Sequence, residues 1–320
     1  MRAVFLLRKE NIKLAESEVL ALISGEKIDF TDNVLIAENE SRGILKRLAF
    51  TEKVYLYLFS CTLKNIKREM NAFDWNSIYK KNFSLRIINL SGKIEFKEKD
   101  LAGIIWRNVK KPRVDLEKPK TAIELLVLEK EIVAGLLIYT NKEKFGNRKA
   151  HKRPAHHPTS MHPKLARCLV NLTGAKEGEE IVDPFCGSGG VLIEAGLMGL
   201  KPTGYDIEKK LVEKARTNLM HYKIKDFRLE KKNALKLDRK IRYIVTDLPY
   251  GRNTNVKNLE RLYDGFLRKA RIILERRAVI AFPDNVRYRK LILRNKLKIR
   301  NVFDWYLHKS LSKKICVIEK

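Results

Sequence analysis

Seventeen residues, Glu180-Ile-Val-Asp-Pro-Phe-Cys-Gly-Ser-Gly-Gly-Val-Leu-Ile-Glu-Ala-Gly196, limit the fold of this chain more than any other stretch. Their apolar start reads as a short buried strand, the segment from Asp183 to Gly190 as a glycine-rich loop, and the apolar run from about Val191 as the opening of a helix. A strand that passes through glycines into a helix leaves the first helical N–H groups unpaired at the strand's carboxyl end, where they favour an anion. The pattern then repeats. Residues 201–206 read as a strand, 207–221 as a helix, and a third strand ends before Lys231-Lys-Asn-Ala234. Residues 258–274 and 286–297 read as helices around a strand at 277–282, with a closing pair of strands in 298–318. Such alternation builds an open, mostly parallel α/β sheet with its site at the strand carboxyl ends.

Three ligand classes compete for the loop. A phosphate loop needs Gly-Lys-Ser/Thr after its glycines, and no lysine follows Gly190 until Lys201, which disfavours a nucleoside triphosphate. A dinucleotide fingerprint counted from Gly187 and Gly189 wants Gly or Ala where this chain has Leu192, which demotes a nicotinamide or flavin. The third class is S-adenosylmethionine, whose carboxylate suits the helix N-terminus and whose ammonium suits Asp183. Asp206, ending the next strand, is placed to accept from both ribose hydroxyls, the alternative being a helix cap. Asn233 is the candidate for the adenine edge, against the ordinary reading of an Asn in a turn.

A second segment, Ile244-Val-Thr-Asp-Leu-Pro-Tyr-Gly251, ends a β-branched run. A base amine is a poor nucleophile because its lone pair is delocalised, so an enzyme must hold both N–H bonds with acceptors and present the nitrogen to an electrophile. Asp247 supplies one acceptor and the Leu248 carbonyl the other. Pro249 stiffens the turn, Tyr250 offers a face for a flipped base, and Gly251 lets the chain pass close to the ligand. The plain alternative is a strand ending in an Asp-X-Pro turn.

Asp183-Pro-Phe-Cys-Gly-Ser-Gly-Gly190 with Thr246-Asp-Leu-Pro-Tyr-Gly251 resembles the class I methyltransferases of exocyclic amines, and more narrowly the archaeal tRNA guanine-N2 methyltransferases acting at position 10. The resemblance runs in motif order from about residue 157 to 284. It implies a Rossmann-like methyltransferase sheet and S-adenosylmethionine as donor. The donor would be held by Asp183, Pro184, Phe185, Cys186, Gly187, Ser188, Gly189 and Gly190, with Asp206, Ile207, Asn233 and Ala234 beyond them. Asp247, Leu248, Pro249 and Tyr250 would be catalytic. The run His157-Pro-Thr-Ser-Met-His-Pro-Lys-Leu-Ala-Arg167 resembles the family's pre-strand motif, which implies that Thr159, Met161 and His162 help enclose the donor. Where relatives carry Asp-Pro-Pro-Tyr or Asn-Pro-Pro-Tyr this chain has Leu248, whose carbonyl survives the change; Asn233 stands where many carry Asp. DNA adenine-N6 enzymes share the four-residue motif and stay open, as does guanine N2 at another tRNA or rRNA position.

The N-terminal half reads as a small α+β module. Residues 3–7 and 54–59 are strand-like around a helix near 14–23, and residues 83–139 give a strand, a helix with Leu101, Ile104 and Ile105 on one stripe, and two more strands. The Val114-Asp-Leu-Glu-Lys-Pro119 run resembles the THUMP domain of tRNA-modifying enzymes. The expected organisation is a ferredoxin-like domain at 1–61, THUMP at 62–140, a basic linker at 141–157 and the methyltransferase domain at 158–320. Residues 1–140 should then be removable without unfolding the catalytic half.

Charge agrees with a nucleic-acid partner, here tRNA. The formal net charge is +29; 29 basic against 20 acidic side chains leave +9 in residues 1–150, and +20 falls in 151–320. Arg107, Lys111, Arg113, Lys164 and Arg252 are the candidate RNA contacts. Four dispersed cysteines without a Cys-x-x-Cys pair suggest neither a zinc ribbon nor a disulfide scaffold, and the histidines at 151, 156, 157 and 162 match no standard metal spacing. No metal is expected. Nor is a membrane span or signal peptide, which leads to a cytoplasmic monomer, with a small activator subunit left open.

Overall fold

The computed structural model describes residues 1–39, 43–91, 94, 96–157, 160–250, 259–308 and 311–320. They form two compact units. The first comprises Met1–Ile12, Ile23–Leu45 and Thr51–Asn141, and the second Lys13–Leu22, Lys46–Phe50 and Lys142–Lys320.

The first unit is built on one seven-stranded sheet. Its strands are β1 (Arg2–Leu7), β2 (Lys27–Thr31), β3 (Val34–Glu38), β4 (Thr51–Cys61), β5 (Phe83–Asn89), β6 (Thr121–Val127) and β7 (Ile132–Thr140), in the order β2-β3-β1-β4-β7-β6-β5. Only β5 and β6 pair in parallel. Strand β4 pairs with β1 on one edge and β7 on the other, so residues on both sides of the expected boundary at 61 share a single sheet. The register also buries Glu124, where it accepts from the Tyr55 hydroxyl at 2.8 Å and from Lys53 Nζ at 2.8 Å. Two helices, α2 (Ile66–Ala72) and α3 (Glu98–Asn108), pack their apolar residues with those of β5, β6 and β7. Leu101, Ile104 and Ile105 of α3 are buried, the stripe that i, i+3, i+4 spacing prescribes.

The second unit carries the repeated strand–helix pattern. Its elements are α4 (Pro163–Leu172), β8 (Glu180–Asp183), α5 (Gly190–Leu197), β9 (Lys201–Asp206), α6 (Lys209–His221), β10 (Arg228–Lys231), β11 (Ile241–Asp247), α7 (Leu259–Ile273), β12 (Leu274–Pro283), α8 (Tyr288–Arg294), β13 (Lys298–His308) and β14 (Leu311–Glu319). The strand order is β10-β9-β8-β11-β12-β14-β13, parallel through β12, with β14 antiparallel to both neighbours. The chain leaves β8 for β9 on one side, whereas β11 lies on the other. A crevice therefore opens at the carboxyl end of β8, as in any doubly wound sheet. Asp183, Asp206 and Asp247 are the last residues of β8, β9 and β11, the three strands that flank it.

One helix departs from the expected division. Helix α1 (Ile12–Leu22) clusters from Lys13 onward with the second unit. Its Glu18 is fully buried and accepts from the backbone N–H of Ala49 at 2.9 Å and Phe50 at 2.8 Å and from Asn171 Nδ2 at 2.7 Å. Removing the carboxylate strands three donors, each costing about 1 to 3 kcal/mol. The expectation that residues 1–140 can be deleted without unfolding the catalytic half is thus revised. A fragment spanning 142–320 should melt about 10 °C or more below the full chain. Circular dichroism melting that shows the two within a few degrees would contradict this account.

Candidate active site

The glycine loop is held from three directions. The Phe185 N–H donates to Asp183 Oδ1 at 3.1 Å, the Cys186 N–H to the Tyr205 carbonyl at 2.9 Å, and the Gly187 N–H to Asp206 Oδ2 at 2.9 Å. Gly189 takes φ +84°, a conformation that favours glycine, and an added Cβ would sit a tight 3.2 Å from Ala215. The Ser188 hydroxyl lies 2.8 Å from that of Ser160, which fastens the pre-strand segment to the loop. The loop turns directly into α5 at Gly190.

A cavity of about 560 Å³ lies over these strand ends, within the usual range for a small-molecule site. Of the residues singled out for the donor, Met161, Asp183, Pro184, Phe185, Cys186, Gly187, Ser188, Gly190, Asp206, Ile207, Asn233 and Ala234 line it, and so do Asp247, Leu248, Pro249 and Tyr250. Gly189 caps α5 at its N-terminus, and His162 caps α4, its Nδ1 accepting the Lys164 N–H at 3.3 Å; neither lines the cavity. Thr159, Gly251 and Arg252 lie outside the described residues. His157, Ser160 and Val191, which lie within the quoted runs but were given no role, complete the walls together with Glu208, Leu211 and Leu262.

Charge selects the occupant. Among the described lining residues are four acids, Asp183, Asp206, Glu208 and Asp247, and no Lys or Arg. Such a wall repels a pyrophosphate and attracts a nucleoside carrying positive charge. Asp183, 2 % exposed, has its carboxyl pushed up to about 7 by burial, with Asp247 and Asp206 adding to the rise against the hydrogen bonds of Thr246 and Phe185. Thr246 Oγ1 donates to it at 2.7 Å, tying β11 to β8. A ligand ammonium beside it would restore the carboxylate. Asp206 is also raised by burial, and each of its oxygens accepts one backbone N–H, from Gly187 and from Glu208 at 2.9 Å. Asn233 accepts the Leu235 N–H at 2.9 Å through Oδ1 and caps a short helical turn, leaving its amide donors for a ligand.

The amine turn follows β11. The Leu248 N–H donates to the Ala281 carbonyl at 3.1 Å, and the Tyr263 hydroxyl to the Pro249 carbonyl at 2.5 Å, so α7 and β12 both pin it. Asp247 is 15 % exposed at its side chain; Oδ2 accepts from Lys313 Nζ at 2.5 Å, while Oδ1 is buried and has no partner among the described residues. Burial raises its acidity constant's midpoint and the Lys313 ammonium offsets part of the rise. Lys313 was missed by motif reading. Its one sequence signal is its phase, since Lys313, Ile315 and Val317 alternate on one strand and all three are buried.

Comparison with known proteins decides the family. A protein of Methanothermobacter thermautotrophicus named tRNA (guanine(10)-N2)-dimethyltransferase is 37% identical over 337 aligned residues, covering 100% of both chains. The chain belongs to the tRNA (guanine(10)-N2)-dimethyltransferase family. A Pyrococcus abyssi protein of the same name is 33% identical over 96% of each chain. The model described as UPF0020, RMKL-like, methyltransferase domain, matches residues 150–313, and one described as DNA methylase matches 57–217, a span that ends before the Asp247 turn. The crystal structure of TrmN from Thermus thermophilus covers 100% of both chains at 20% identity with a TM-score of 0.52, which places it in the same fold. The cofactor of this methyltransferase family member is S-adenosylmethionine, and the acidic, nucleoside-sized cavity fits it.

The candidate RNA contacts fall in both units. Arg107, Lys111 and Arg113 are exposed near and after the end of α3 in the first unit; Lys164, in the second, is half-buried with Nζ 4.5 Å from the Phe50 ring centroid. Among the described residues no group of three or more His, Cys, Asp or Glu is placed to hold a metal, and no helix is long and apolar enough to cross a membrane.

Proposed function

We propose that this protein methylates the exocyclic N2 of guanosine 10 in tRNA, once or twice. The observation that carries the reading is the meeting of Asp183, Asp206 and Asp247 at one cavity, with an unpaired buried oxygen on Asp247 and the Tyr250 ring beside it. When bound, S-adenosylmethionine supplies an electrophilic sulfonium methyl. Asp183 pairs with its ammonium, the N-terminus of α5 takes its carboxylate, Asp206 accepts from the ribose hydroxyls, and Asn233 meets the adenine edge. An unpaired buried acceptor costs about 1 to 3 kcal/mol, a cost that a base N–H repays by donating to Asp247 Oδ1. The second N–H goes to the Leu248 carbonyl, which accepts no hydrogen bond among the described residues. Held by both, the amine turns its lone pair toward the donor, and its proton passes to Asp247. Tyr250 stacks the base once it has left the tRNA helix, a contact worth about 1 to 3 kcal/mol.

The first unit fits the tRNA-gripping half, with THUMP at 62–140 behind a ferredoxin-like segment at 1–61 whose residues 13–22 and 46–50 cluster with the second unit, a linker at 141–157 and the methyltransferase domain at 158–320. Arg107, Lys111 and Arg113 on this half, with Lys164 and Arg252 on the catalytic half, are the proposed phosphate contacts, and the protein is read as a cytoplasmic monomer. Mass spectrometry of nuclease digests of unmodified tRNA, after incubation with enzyme and donor, should show N2-methylguanosine or N2,N2-dimethylguanosine at position 10. The match to the DNA methylase model favours adenine N6 in DNA as the second reading. Label entering duplex DNA and not tRNA would establish it instead.

A further inference from the structure

Lys313 is 2 % exposed at its side chain, on a strand that faces the amine turn. Lysine is almost never buried without a partner, and here there are two. Nζ lies 2.5 Å from Asp247 Oδ2 and 4.2 Å from the centroid of the Tyr250 ring. The backbone leaves little freedom in this placement, because β14 pairs on both edges and sets Lys313 opposite Pro283 of β12 and Trp305 of β13. We propose that Lys313 is a positioning residue for methyl transfer: its ammonium grips the Asp247 carboxylate and the Tyr250 ring together, fixing amine acceptor and base platform in one arrangement.

Three physical points support this. A buried ion pair is a poor way to stabilise a fold, since apolar residues of like volume do as well or better, so stability alone gives no reason for an ammonium here. By occupying Oδ2 it leaves Oδ1 as the acceptor for the base amine. By standing over one face of Tyr250 it leaves the other for the base, and the cation–π contact, worth about 2 kcal/mol when desolvated, restrains the ring before the base arrives. Among the described residues, the charged or titratable groups that act on or respond to Asp247 are Asp183 from β8, Tyr263 from α7 and Lys313 from β14, of which Lys313 is the cation. Without it, burial acts on Asp247 unopposed, and the carboxylate needed to receive the amine proton forms only at higher pH.

The inference rests on the amine-methylation reading. Lys313→Met and Lys313→Gln keep much of the volume and lose the charge; Lys313→Arg keeps the charge. Turnover on unmodified tRNA at saturating donor should fall about 10²-fold in the two uncharged variants, with donor affinity within about threefold of wild type. The acid limb of their pH profile should move up by about one unit or more, and that of the Arg variant should stay in place. Turnover within about threefold of wild type, or a drop with an unmoved acid limb, overturns the proposal. So does failure of both uncharged variants to fold, which would make the ammonium structural. If wild type methylates no tRNA the functional reading itself fails; if wild type is active and the variants match it, the positioning role alone fails.

Discussion

Replacing Asp247 by Ala is expected to lower methyl transfer to tRNA by about 10³-fold or more at saturating donor and tRNA, equivalent to about 4 kcal/mol of transition-state stabilisation. Asp247 Oδ1 is a buried acceptor without a partner among the described residues, and it takes the proton that the amine must shed. Donor and tRNA affinities should change by no more than about threefold, because most of the contacts proposed for each lie on other residues. The substitution strands the Lys313 ammonium in a buried position, a loss of about 3 to 5 kcal/mol of stability, so each assay needs a melting curve beside it. Asp247→Asn keeps an oxygen at the site but not the charge, and it should be nearly as inactive. Near-normal turnover by a folded Asp247→Ala protein would remove Asp247 from the mechanism.

Donor binding should depend on pH through Asp183. Its carboxyl titrates near 7 in the folded, donor-free protein against 3.8 as the reference value. A raised acid is neutral below its midpoint, so its burial costs little at low pH and destabilises the folded state as pH rises from about 4 through 7. The donor has the opposite preference: its ammonium needs the carboxylate. Affinity should therefore weaken about tenfold per pH unit as pH falls from about 7 to 5, a range in which the donor's own ammonium stays protonated. Asp206, also raised, titrates in the same site, so the comparison with Asp183→Asn is what isolates the residue. That variant should bind the donor about 100-fold more weakly at neutral pH and lose most of the slope. Calorimetry giving a flat wild-type profile would show that the ammonium sits elsewhere.

Much of the second unit was legible because its signals are local. The strand, glycine loop and helix around Asp183 follow from apolar runs and glycines within seventeen residues, and the structure starts the helix at Gly190, one residue before the expected Val191. Helix 207–221 instead begins at Lys209, since Asp206 takes the Glu208 N–H and turns the chain first. The segment expected as a helix over 286–297 shrinks to Tyr288–Arg294, and Lys296 just beyond takes φ 57°, a conformation no helix tolerates. What was illegible is non-local. Beyond its phase with Ile315 and Val317, nothing near Lys313 tells it from the other lysines in a chain with 67 basic residues until β14 is laid against β12. Likewise α1 reads as an ordinary amphipathic helix of the N-terminal module; only the burial of Glu18 against Asn171 assigns it to the catalytic unit.

That assignment bears on biosynthesis. Glu18 precedes Asn171 by 153 residues, and at about 5 to 20 residues per second a ribosome needs roughly 8 to 30 s to deliver the second after the first. Throughout that interval Glu18 lacks the Asn171 donor that holds it in the finished protein. Slow, long-range closure of this kind is where chaperones and aggregation compete.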